Sequence, residues 1–280
     1  MAWFPSLIDL TRPLTNEAVI ALAGKFAEPG SPYSGIELSY LRNWDSENGM
    51  VCKWTLNDHL GTHLDAPIHV VPGAPTVDQA DINRLVGEAV VIDCAFANGR
   101  GITGDDFERA EPSVQAGDIV LIYSAERAAK GVEDYPREQT YMTPDGAQWL
   151  VDRQIKAVGV ETYSFEHLYD AIFVQQWYDK ATPPPHWPAH TICLRENIYI
   201  IEGLTNLDAI VGKRVRFSAL PLPVPGSSGS PVRAVAWGRV KLLGGKVALR
   251  DHKRLHLEGA PSSRGAPNNS PGPSSVVAQA

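Results

Sequence analysis

What most limits the fold of this chain is a series of short strand-like runs. Segments rich in β-branched residues recur between turn signals at 6–10, 51–57, 89–94, 118–123, 157–160, 197–201, 215–220 and 232–237. Runs of this length suit strands better than helices. Two helix starts stand among them: Thr103 precedes 104–110 with Asp106 three residues on, and Thr143 precedes Pro144 at the head of a segment ending at Gln154. Helices are too few for a regular βαβ alternation. The pattern predicts an α/β domain with a mixed, barrel-like sheet and peripheral helices.

Composition narrows the function. A chain of 280 residues, 44% hydrophobic and 20% charged, can bury a large core as one domain or two. Its net charge of -7 and lack of a Lys/Arg stripe argue against gripping a phosphate backbone. There is no apolar run of about 18 residues to span a membrane and no basic-then-apolar leader, so the expected location is cytoplasmic. Cys52, Cys94 and Cys193 lie far apart without C-x-x-C spacing and read as buried free thiols. Residues 259–280 are rich in Pro, Gly, Ser and Asn, with too little apolar content to offset ordering entropy, so 1–258 is the expected folded body and 259–280 a flexible tail.

The chemistry concentrates in Asp58-His59-Leu60-Gly61-Thr62-His63-Leu64-Asp65-Ala66-Pro67-Ile68-His69. Three of the chain's eight histidines and an aspartate fall between positions 59 and 69. Imidazole nitrogen and carboxylate oxygen together suit zinc, and manganese next. Gly61, Thr62 and Pro67 oppose a helix through the segment despite the i, i+4 spacing of His59 and His63. In extended chain His63 and Asp65 share one side, while His59 lies about 13 Å from His63 unless Gly61 bends the backbone. Downstream, Glu202 interrupts the apolar run 198–204, where a carboxylate is costly unless it is metal-bound or paired, for example with Arg195.

The pattern H-x-G-T-H-x-D-x-P-x-H, complete at its seven defined positions, resembles the signature of the cyclase family that includes bacterial kynurenine formamidases and isatin hydrolases. Pro188-Ala189-His190-Thr191 with Glu202, and the stretch 226–236, are similar to further elements of that family, so the resemblance spans about residues 6–237. It implies a swivelling β/β/α fold, a homodimer or homotetramer, and a divalent metal site. By the same resemblance His59, His63 and Asp65 are metal ligands, and His190 and Glu202 complete a second metal position with Asp65 and Glu202 touching both ions. His69 is then the proton-transfer residue.

Such a site implies hydrolysis of an amide, cyclic amide or ester carbonyl in a small aromatic substrate, because a bound divalent ion both acidifies water and polarises a carbonyl. No G-x-S-x-G elbow offers a serine route. The alternative is a lyase or true cyclase in which His69 removes a proton beside the polarised carbonyl. Two stretches depart from the formamidases: 27–35 replaces their W-P-G-D-like segment, and 159–164 reads Gly-Val-Glu-Thr-Tyr-Ser in place of Gly-Val-Asp-x-Pro-Ser. The pocket wall is therefore expected to differ from theirs. Trp177, Tyr178 and Trp187 suit a pocket for a flat substrate, core packing or a subunit interface. His186 reads as a contact behind the ligands or with substrate, or as a surface residue, and His167, His252 and His256 carry no pattern.

Overall fold

Thirteen strands and three short α-helices are present among the described residues, 7–14, 36–42, 48–125, 139–167 and 187–238, in a computed structural model. All of these residues fall within the unit Met1–Arg239. In chain order the strands are β1 (Ile8–Asp9), β2 (Glu37–Arg42), β3 (Val51–Thr55), β4 (His63–Asp65), β5 (Val86–Asp93), β6 (Gly101–Ile102) and β7 (Ile119–Tyr123). Next come β8 (Tyr141–Met142), β9 (Ala157–Val160), β10 (Tyr199–Glu202), β11 (Arg214–Ser218), β12 (Gly229–Pro231) and β13 (Val235–Trp237). The helices are α1 (Gly104–Glu108), α2 (Pro144–Asp152) and α3 (Pro188–Arg195).

Nine strands form one mixed sheet in the order β1-β13-β11-β5-β7-β9-β10-β4-β12. Its centre, β5-β7-β9-β10, is parallel, and antiparallel pairs flank it on both sides. Among the described residues each step between consecutive parallel strands carries a helix, so the middle of the sheet is built from βαβ units that the count of helix starts did not predict. The α/β class, mixed sheet and peripheral helices are as expected.

Alternation along the central strands divides their side chains between two cores. Ala89, Val91, Ile119, Leu121, Ala157 and Ile201 enter one; Val90, Ile92, Val120, Ile122, Val158 and Ile200 enter the other. Both faces are buried, which is why these strands read as unbroken apolar runs. The second core is closed by Phe107 of α1, Ala147 and Leu150 of α2, and Ala189, Cys193 and Leu194 of α3. In the first core, Leu10 and Ala236 from one end of the sheet join Leu64 and Val232 from the other, so the sheet curls into a half-barrel around them. The ends are tied where Arg12 N donates to Thr62 Oγ1 at 2.8 Å and Thr205 N to the Leu10 carbonyl at 3.0 Å.

Several boundaries differ from expectation. The run 51–57 becomes β3, which leaves the main sheet and pairs with the unpredicted β2 in a separate ribbon. Cys52 lies on that ribbon and is only half-buried, unlike Cys94 and Cys193. The helix expected to reach Gln154 stops at Asp152, and Gln154 takes a left-handed φ of 57°. The segment beginning Pro188-Ala189-His190-Thr191 forms α3, which no helix signal predicted, although Pro188 occupies the first-turn position where proline is tolerated. Residues 259–280 and the expected boundary before them, 27–35, Trp177, Tyr178, His186, His252 and His256 lie outside the described residues. Among the described residues no helix is long and apolar enough to cross a membrane.

Candidate metal centre

The site forms where β4 lies between β10 and β12. Leu64 and Ile201 turn into the half-barrel, so their neighbours His63, Asp65 and Glu202 turn to the opposite face, toward α3. Register sets Glu202 directly across from His63. Gly61, at φ 69°, bends the chain just before β4 and brings the His59 ring to 5.2 Å from the His63 ring. After β4, Pro67 opens a 3-10 turn, Pro67–His69, rather than prolonging an extended segment. That turn brings His69 over the cluster, 4.1 Å from the His59 ring and 5.9 Å from that of His190.

His59, His63, Asp65, His69, His190 and Glu202 therefore converge in one place. His63 Nε2 stands 3.4 Å from both Asp65 Oδ1 and Glu202 Oε2, and His190 Nε2 stands 3.5 Å from Asp65 Oδ2 and 3.2 Å from Glu202 Oε1. His59 Nδ1 is 2.7 Å from Asp65 Oδ1. Glu202 meets these imidazoles instead of Arg195, and its Oε1 also accepts from Phe165 N at 2.6 Å. Two overlapping sets have ligand atoms close enough to share an ion: His63, Asp65 and Glu202, and His59, Asp65 and His69.

Hydrogen-bond inventory decides which nitrogen of each ring faces inward. His63 Nδ1 donates to the Gly61 carbonyl at 3.0 Å, which turns Nε2 inward to Asp65 and Glu202. For His59 the order is reversed. Asp58 Oδ2 accepts the single hydroxyl proton of Ser228 at 2.9 Å, together with bonds from Ser228 N and Gly229 N, so Ser228 Oγ is the acceptor for His59 Nε2 at 2.9 Å. His59 Nδ1 is then the inward nitrogen, 2.7 Å from Asp65 Oδ1, and because an ionised carboxylate only accepts, a proton bridges the two until a metal takes its place. The loop packs closely enough that a Cβ on Gly229 would lie 2.7 Å from the His59 ring. Asp58 and Glu166, which accepts from His190 N at 3.0 Å, were given no role from sequence. Ser228 lies in the stretch 226–236 that is similar to a further element of the family. Asp58 adjoins the motif, whereas the only local hint of Glu166 is a carboxylate beside the altered turn.

The electrostatics call for a cation. Burial alone would lower the His63 pKa, but hydrogen bonds and charge from Asp65 and Glu202 raise it to about 10. Against the same burial, Asp65, Glu166 and Glu202 raise His190 well above its ordinary value. Burial works against ionising Asp65, yet the facing imidazoles hold its carboxyl well below the usual range. Two ionised carboxylates so deeply buried need positive charge between them, and here borrowed protons supply it. Asp65 is 1% exposed, and its Oδ2 has no hydrogen-bond donor. Two deeply buried carboxylates, and imidazole nitrogens whose borrowed protons a cation could displace, match what a divalent ion requires.

His69 differs from its neighbours because burial dominates and its pKa falls to about 4. Trp187 stands edge-on to both His69, at 5.0 Å, and His190, at 4.9 Å. His167 lies apart, against the Tyr141 ring at 4.6 Å. In the altered turn, Glu161 accepts from Ser124 N and Ala125 N at 2.9 and 3.1 Å, and Arg12 lies over the Tyr163 ring at 4.9 Å.

Known proteins resemble this chain in sequence and fold. The putative cyclase family model matches residues 8–167. Isatin hydrolase of Roseibium aggregatum is 27% identical over 252 residues, covering 82% of this chain and 90% of that protein. Kynurenine formamidase of Geobacillus thermodenitrificans is 30% identical over 199 residues, covering 70% of this chain and 85% of that protein. The solved structure of isatin hydrolase A from Labrenzia aggregata, bound to benzyl benzoate, superposes with a TM-score of 0.67 at 25% identity, covering 82% of this chain and 93% of the other. With the family model matching more than half of its length, this chain belongs to the putative cyclase family.

Proposed function

We propose that this protein hydrolyses the carbon–nitrogen bond of a small aromatic amide or cyclic amide, or the corresponding ester bond, with divalent metal. The observation that carries the reading is the convergence of Asp65 and Glu202 with inward-facing imidazoles around a buried carboxylate oxygen that has no proton donor. His59, His63 and Asp65 would hold one ion, and His190 with Glu202 would complete a second position that shares both carboxylates. Zinc is the first choice and manganese the second, since the donor set suits both. A bound divalent ion lowers the pKa of water from near 16 toward about 7 and polarises a carbonyl.

His69 supplies proton transfer. Its ring lies over the cluster, 4.1 Å from that of His59, where it takes a proton from the water adding to the carbonyl carbon and returns it to the leaving group as the C–N or C–O bond breaks. The products are a carboxylic acid and an amine or alcohol. Trp187, beside both His69 and His190, offers a flat wall, which favours aryl formamides and isatin-like cyclic amides. These are the kinds of substrate for which the two relatives are named. The enzyme works as a homodimer or homotetramer in the cytoplasm, a compartment that suits its free thiols.

The test is a screen of aryl formamides, isatin, lactams and small esters with chelator-treated protein, before and after addition of zinc or manganese. Turnover should vanish with the chelator and return with metal. Full turnover by metal-free protein overturns the reading. Product formed without uptake of oxygen-18 from water would indicate the lyase chemistry instead.

A further inference from the structure

We propose that Glu166 is a positioning residue that sets the tautomer of His190, so that Nε2 is the nitrogen presented to the metal. This rests on the reading that a divalent ion binds among Asp65, His190 and Glu202. Glu166 is buried just beyond the turn after β9, on the far side of the His190 ring from the two carboxylates. Its Oε1 accepts from His190 N at 3.0 Å and lies 3.4 Å from His190 Nδ1. The backbone bond holds that oxygen in place, because His190 is the third residue of α3 and its N–H has no partner within the helix. The Glu166 backbone is held in turn. Glu166 N donates to Ser164 Oγ at 3.1 Å, and Gln139 Nε2 donates to the Glu166 carbonyl at 3.0 Å.

A ring that ligates a metal keeps one proton, and Glu166 Oε1 beside Nδ1 is the acceptor that retains it there. Nε2 is then free, facing Asp65 Oδ2 at 3.5 Å and Glu202 Oε1 at 3.2 Å. With the opposite tautomer, Nδ1 would point a lone pair at Glu166 and Nε2 a proton at the metal position. The anionic acceptor also raises the basicity of the ring, which strengthens it as a ligand. His63 is oriented by a neutral carbonyl and His59 by a hydroxyl; His190 faces a carboxylate.

Glu166→Gln retains size and an acceptor oxygen but removes the charge, and Glu166→Ala removes the acceptor. Zinc affinity of the full chain, measured by competition with a chromogenic chelator, should fall about 10- to 100-fold in both, with the visible spectrum of cobalt-loaded protein altered. Should Glu166 only cap α3, melting of the metal-free protein would shift while zinc affinity and the cobalt spectrum stayed as in wild type, and the inference would be wrong. Nitrogen-15 histidine spectra of zinc-loaded wild type give an answer independent of either variant folding: His190 should carry its proton on Nδ1, and a proton on Nε2 overturns the assignment. Wild-type protein that binds no zinc would instead refute the metal reading on which the inference depends.

Discussion

Single residues in this site divide by what their second polar atom touches. His63 is committed through Nδ1 to the Gly61 carbonyl, which turns its other nitrogen toward Asp65 and Glu202. His69 instead stacks over the cluster, with burial lowering its pKa. Removing each should therefore have a different consequence. His69→Ala is expected to retain its metal and fold while losing roughly 10² to 10⁴ in turnover, the usual worth of a proton-transfer group. His63→Ala should lose metal and activity together. Metal analysis by mass spectrometry beside a rate assay separates the two, and a metal-free His69→Ala would reassign that ring as a ligand with His59 and Asp65.

At the level of elements, one junction holds the site in register and another holds a helix of the second core. Immediately after β10, Gly203 adopts φ 68°, and a Cβ there would come within 2.5 Å of the Gly61 carbonyl oxygen. That carbonyl orients His63, so Gly203→Ala should reach the metal site as well as the fold. We expect destabilisation by about 3 kcal/mol, read by urea unfolding, with weaker zinc binding. The second junction is the start of α1. Asp106 accepts from Arg100 Nη1 and Nη2 at 2.8 and 2.9 Å and from Thr103 N at 2.9 Å. The Arg100 hydrogen bond, working against burial, depresses its pKa below the usual carboxylate range. A depressed folded pKa means the contribution is whole above the unfolded value, near 4, and is lost as pH falls through the folded one. Asp106→Ala should cost about 1 to 2 kcal/mol at pH 7, modest because Arg100 is half exposed. Urea unfolding should show the gap between variant and wild type narrowing in strong acid.

On the scale of the whole molecule, the β2–β3 ribbon stands apart from the curled sheet. Leu38 faces Trp54 and Tyr40 faces Cys52 across it, which gives the ribbon one apolar face. Leu38 and Trp54 are 51% and 55% exposed. A two-stranded ribbon is marginal alone in water, and the expected homodimer or homotetramer is an assembly that would cover it. Leu38→Asp with Trp54→Asp should lower the mass seen by light scattering; an unchanged oligomer would place the interface elsewhere. Removing 259–280, by contrast, should leave melting temperature and metal content as they are, and a large loss of stability would show that the segment docks.

Local chemistry was readable from the chain alone: strand-forming runs, the Thr103 and Thr143 helix starts, and a histidine cluster whose Gly61 had to bend. These depend on neighbours in sequence, through steric limits on φ and the alternation of side chains along a strand. His190 and Glu202 were joined to the motif by resemblance, since no spacing rule links positions so far apart. Folding decided what non-local pairing decides. It set β4 against β10 so that Glu202 opposes His63, curled the sheet until Arg12 reached Thr62, and brought Glu166 behind His190. Tautomers and charge states came from that pairing, because a ring nitrogen takes or gives a proton according to the atom that folding places beside it.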